Sequence, residues 1–103
     1  MKWLLLSFHF AFFYVCQTVA GGTVTLAWEP NSEPNITGYR VKYGTVSGVY
    51  PWNVYVSGKT NITISGLDRG TEYFFVVTAV NTEERESRIS NEVAYTVETA
   101  STP

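Results

Sequence analysis

The chain has 103 residues, with 7 Lys and Arg against 9 Asp and Glu, for a net charge of −2. That is room for one domain. The acidic balance argues against a nucleic-acid backbone as a partner.

The first twenty residues differ from the rest. Lys2 gives a basic start, Trp3 to Val15 are almost wholly apolar, and Cys16–Ala20 lead to Gly21-Gly22. This is the pattern of a secretory signal, with Thr18 and Ala20 as the small residues before a cut at Gly21. The reading is a hydrophobic leader helix over 1–20, removed from a secreted, periplasmic or cell-surface product. An uncleaved membrane anchor is the second reading, although Trp3–Val15 falls short of the roughly 20 residues a crossing helix needs. A lipoprotein cysteine at Cys16 is third, because Val15 is bulky where a small residue is expected. The single His (His9) and single Cys (Cys16) both lie in this leader.

From residue 21 onward the chain shows alternation broken by turn residues, the all-β signal. Thr23–Trp28 is the first predicted strand, with Val24, Leu26 and Trp28 on one face. Pro30 and Pro34 mark the loop after it. Gly38–Gly44 follows, with Tyr39, Val41 and Tyr43 inward and Arg40 and Lys42 outward. Trp52–Val56 is a shorter strand, and Ile62 and Ile64 are the inward face of the next. Glu72–Asn81 is long and apolar. Residues 82–88 are a charged loop, Glu92–Glu98 is the last strand, and residues 99–103 read as a linker-like tail. Strands this short bury one face each, so two antiparallel sheets packed as a sandwich are expected.

The segments VTLAW, GYRVKYG, ITISGL, GTEYFFVVTAVN and SNEVAYTVE stand in the order and spacing of a family. Together they resemble a fibronectin type III domain, an immunoglobulin-like sandwich, over residues 21–98, with a flavour similar to such domains in secreted bacterial proteins. The resemblance implies strands A to G, with Trp28 the core tryptophan of strand B and Tyr39 on strand C. Leu67 and Tyr73 resemble the tyrosine corner, whose hydroxyl bonds to backbone a few residues upstream. One departure stands out. Only two glycines separate the expected cut from Thr23, so strand A is absent, or residues around Val15–Ala20 supply it and the cut lies elsewhere or does not occur. An absent strand A leaves an open edge that favours an edge-strand dimer.

Catalysis has little support, and no enzyme activity, cofactor or metal is expected. Beyond the leader there is no imidazole for a nucleophile–base pair and no thiol for a metal cluster. Carboxylates of Glu29 or Glu33 and of Glu83, Glu84 or Glu86 converge on loops at one end, as a glycosidase pair would. A solvated charged loop, balanced by Arg85 and Arg88, is the plainer reading, and a weak Ca²⁺ site the remaining one. Asp68-Arg69-Gly70 is turn chemistry. Asn35-Ile36-Thr37 and Asn61-Ile62-Thr63 match the glycan acceptor pattern, which matters only in a eukaryotic pathway.

The candidate binding surface is Tyr50, Trp52, Tyr55, Phe74 and Val76, aromatic or apolar residues read as clustering at a sheet edge and on its outer face. The competing reading is structural, with the stems of Arg40 and Lys42 covering the stripe and Trp52 folding over the edge. The function expected is a non-enzymatic extracellular binding or spacer module for an unidentified protein. The alternative is a carbohydrate-contacting accessory module of an exported polysaccharide-processing system.

Overall fold

Period-two alternation puts every second side chain of a strand on one face. In this chain it builds seven strands. The computed structural model describes residues 13–17 as a strand backbone and residues 22–98 throughout. The strands are β1 (Phe13–Gln17), β2 (Val24–Trp28), β3 (Ile36–Gly44), β4 (Trp52–Ser57), β5 (Asn61–Ile64), β6 (Glu72–Asn81) and β7 (Val93–Thr96). They form a three-stranded sheet in the order β1-β2-β5 and a four-stranded sheet in the order β4-β3-β6-β7, with antiparallel pairing throughout. The all-β, two-sheet sandwich read from sequence is the fold observed.

The first strand resolves the missing edge. Phe13 pairs with Trp28, Val15 with Leu26 and Gln17 with Val24. The helix expected through the leader therefore does not include residues 13–17. Phe13, Tyr14 and Val15 are good strand formers, and β2 offers them an unpaired edge. The remainder of the expected leader, residues 1–12 and 18–21, lies outside the described residues, as does the 99–103 tail.

The inward faces meet in one core. Val24, Leu26 and Trp28 come from β2, Tyr39 and Val41 from β3, Ile64 from β5, and Tyr73, Phe75, Val77 and Ala79 from β6. Trp28 is only 2% exposed and meets Tyr39 edge-on at 5.6 Å. The ring of Tyr43 stacks on Phe75 at 5.6 Å. Truncating a buried tryptophan costs about 3–5 kcal/mol, a large part of the roughly 5–15 kcal/mol that holds a domain together.

Two buried tyrosines place their hydroxyls on loop backbone. The Tyr73 hydroxyl accepts from the Asp68 N–H at 2.9 Å, the corner anticipated above. The Tyr39 hydroxyl accepts from the Asn31 N–H at 2.9 Å. Each lets a large ring enter the core without stranding a polar atom.

The last strand, Val93–Thr96, is shorter than expected, and two serines precede it along the edge of β6. The Ser87 and Ser90 N–H groups donate to the Ala79 and Val77 carbonyls at 2.9 Å. In return the Val77 and Ala79 N–H groups donate to the hydroxyls of Ser90 and Ser87, also at 2.9 Å. Side chains thus complete the edge of β6 where a regular ladder does not. No helix among the described residues is long and apolar enough to cross a membrane.

Candidate binding surface

The outer face of the four-stranded sheet carries the even-numbered residues of β6 and, from Gly38 onward, those of β3. It divides into three zones, and the five expected surface residues do not share one of them.

The first zone is open. Tyr55 of β4 pairs with Arg40 of β3 and is 43% exposed. Its ring lies over Gly38, where an added Cβ would come within 2.6 Å of the Val56 carbonyl and would also collide with the Tyr55 hydroxyl. Only glycine leaves room for that approach. The hydroxyl donates to Thr37 Oγ1 at 3.2 Å. The Arg40 guanidinium sits 5.4 Å from the ring centre, a cation–π contact. A depression of about 430 Å³ opens here, lined by Thr37, Arg40, Tyr55, Asn81 and Glu84 among others.

The second zone is a charge cluster. Glu86 meets Lys42 Nζ at 2.9 Å and Arg40 Nε at 3.3 Å, and accepts from the Thr78 hydroxyl at 2.9 Å. Burial pushes the Glu86 carboxyl up, but Lys42, Thr78 and Arg40 together outweigh it and hold the group below its ordinary value. Arg40 Nη1 also donates to Asn53 Oδ1 at 3.0 Å.

The third zone is closed. The 45–51 loop folds back over Gly44, where a Cβ would collide with the Val49 carbonyl and the Pro51 ring. Glu92, just before β7, fastens the loop. Its carboxylate accepts from Ser47 Oγ at 2.7 Å, from the Gly48 N–H at 3.0 Å and from the Tyr50 hydroxyl. The Tyr50 hydroxyl, with Ser47 second, holds the Glu92 carboxyl below its ordinary value. Burial, then Glu92, pushes the Tyr50 hydroxyl up to about 12.

These zones correct the expected patch. Val76 leaves the sheet on the outer side, in register with Lys42, yet it is fully buried. Lys42 beside it is a long polar side chain whose stem covers apolar surface. Phe74, between Gly44 and Ala94, is half-buried at the closed end. Tyr50 is committed to Glu92. Trp52 pairs with Tyr43 on the core-facing side of the sheet, with ring centres 5.6 Å apart. It projects from the rim, 47% exposed. Trp52 and Tyr55 thus point to opposite faces of β4. Of the five, Tyr55 alone borders an open polar depression.

Two of the candidate carboxylates are held by cations. Glu86 lies on the outer face with its two cations, and Glu83 reaches Arg85 at 3.7 Å. Among the described residues no group of His, Cys, Asp and Glu could hold a metal ion. The 29–35 segment and the turn at 82–85 do share one end, where the Thr82 N–H donates to the Asn35 carbonyl at 3.0 Å. Asn81 Oδ1 accepts from the N–H groups of Glu83 and Arg85 at 2.9 and 3.0 Å, shaping a turn in which Glu84 takes a positive φ of 64°. Asn35 and Asn61 are both exposed.

Sequence reasoning missed Arg40, Glu86 and Glu92 as organising residues. The outward parity of Arg40 and Lys42 was a signal that a carboxylate faces them. Several glutamates in the 83–92 region compete for that role, and only the folded course of the segment selects Glu86.

Comparison with known proteins agrees with this architecture. The family model described as "Fibronectin type III domain" matches residues 14–94. Tenascin of Gallus gallus is 41% identical over 69 residues, which is 63% of this chain and 4% of tenascin. The chain therefore spans a small fraction of that relative's length. A crystal structure of an Fn3-like protein from Clostridium thermocellum is 28% identical, with a TM-score of 0.71, and the match covers 87% of this chain and 92% of that one. A fibronectin type III domain from the human KIAA0970 protein superposes with a TM-score of 0.79 at 23% identity, over 99% of this chain and 82% of that one. With a family match across most of its length and the two-sheet topology described above, the chain belongs to the fibronectin type III family.

Proposed function

We infer that this chain is a non-enzymatic extracellular module that binds a protein partner and spaces its neighbours. The observation that carries the binding role is the open zone around Tyr55. An exposed aromatic ring, a guanidinium and several amide and hydroxyl groups line one depression on a rigid sheet. Interfaces favour this mixture of Tyr and Arg. The core does not depend on it, since Tyr55 lies outside the cluster that holds the two sheets together.

Topology supports the spacing role. β1 begins beside Trp28, at the end where the 29–35 segment and the 82–85 turn lie. β7 ends beside Glu72, at the opposite end. A domain entered at one pole and left at the other suits a series of domains. Extracellular placement draws on the leader pattern and on the likeness to tenascin. In a eukaryotic pathway the exposed Asn35 and Asn61 would be glycan acceptors.

The second reading, a carbohydrate-contacting accessory module, is favoured by the same ring, because sugars stack on exposed aromatics beside hydrogen-bonding side chains. An array carrying extracellular proteins and glycans separates the two. Capture by proteins supports the leading reading and capture by glycans the second. Retention by neither leaves a spacer and removes the binding role.

A further inference from the structure

We propose that residues 13–17 stay with the folded domain as its edge strand, so that a cut after Ala20, where the leader pattern places one, does not give the native protein. This inference goes beyond the binding role and is independent of it.

Three observations converge. First, β1 is in register with the whole of β2, from Phe13 opposite Trp28 to Gln17 opposite Val24. It is also the outer strand of its sheet, with β2 between it and β5. Without β1, the backbone groups of β2 on that side lose their partners, and a bare edge invites another chain. Second, β1 also lies against β7 of the other sheet, so its backbone bridges the two sheets at that edge of the sandwich. Third, the family match begins at residue 14, upstream of Gly21.

The apolar run therefore has two uses that exclude each other. A membrane-crossing helix needs roughly 20 residues and would have to draw on 13–17. The sandwich needs the same residues extended. Cleavage after Ala20 would satisfy the signal pattern and discard the strand. Processing that preserves the fold falls at or before Phe13.

The test expresses the full chain in a secreting host and reads the N-terminus of the folded protein by sequencing and intact mass. The expected N-terminus is Phe13 or an earlier residue. A folded product that starts at Gly21, or anywhere within β1, overturns the proposal. A second measurement addresses the strand itself. In an edge strand, alternate residues point their N–H toward the neighbour, so either Tyr14→Pro or Val15→Pro removes a ladder donor while the other is tolerated. At least one of them is expected to lower the urea midpoint of the full chain by roughly 1 M. Unchanged midpoints in both variants would show that β1 does not hold the fold, which also overturns the proposal.

Discussion

The Tyr50 hydroxyl and the Glu92 carboxylate meet across the four-stranded sheet, fastening the 45–51 loop to the approach to β7. The pair decides which part of the outer face is available. With the loop down, the end of the sheet that carries Phe74 is closed, and the end that carries Tyr55 is left open.

Breaking this fastening exposes apolar surface. Glu92→Ala removes the acceptor for Ser47, Gly48 and Tyr50 together. Binding of a hydrophobic dye is expected to rise, with Phe74 newly accessible, while the core strands keep their amide-exchange protection. Unchanged dye binding would mean that the loop is held by something other than Glu92.

Burial and the same pair together set a titration. Tyr50 has its folded pKa raised from 10.0 to about 12. A raised pKa means that its contribution to stability is complete below the ordinary value and is lost as pH climbs through about 12. NMR of ring-labelled tyrosine is expected to show Tyr50 still protonated at pH 11, and Glu92→Ala to bring its titration down toward 10. Titration of Tyr50 near 10 in the unsubstituted chain would contradict the bond.

Acid acts through Glu86. Its folded pKa is lowered from 4.5, so its contribution is present above that value and is lost as pH falls further. Urea midpoints are expected to decline below about pH 4.5 in the unsubstituted chain and to decline less in Glu86→Gln. Raised salt blunts the difference only partly, because the cluster with Lys42 and Arg40 is shielded by the sheet. Equal slopes for the two chains would remove Glu86 from the acid response.

The corner tyrosine is worth one hydrogen bond. Tyr73→Phe keeps the ring in the core and deletes the acceptor for Asp68. The expected loss is about 1 kcal/mol of unfolding free energy, read from urea denaturation. A loss near zero would show that the bond adds nothing over water at that turn.

Much of this architecture was legible in the sequence, and the reasons are local. Alternation assigned the inward faces of β2, β3 and β6, because a two-residue period leaves no choice once one core residue is placed. Leu67 and Tyr73 were legible through the resemblance to the family's tyrosine corner. The identity of β1 was not, since an apolar run reads equally as leader or as strand until a partner edge is known. The binding surface failed in a different way. Parity correctly sent Phe74 and Val76 outward, but outward is not exposed. Their burial depends on the 45–51 loop and on the stems of residues brought alongside by β3. Trp52 was grouped with Tyr55 by sequence proximity, whereas residues three apart on a strand point to opposite faces.

The Tyr55 zone, and neither the Trp52 rim nor the closed Phe74 end, is the face proposed to bind. Whatever the array captures, its binding to the unsubstituted chain is measured beside Tyr55→Ala, Trp52→Ser and Phe74→Ser, each confirmed folded by its melting curve. Tyr55→Ala is expected to lose binding with its melting temperature nearly unchanged, while Trp52→Ser and Phe74→Ser retain binding. Full binding by Tyr55→Ala, or loss confined to Trp52→Ser, would contradict it.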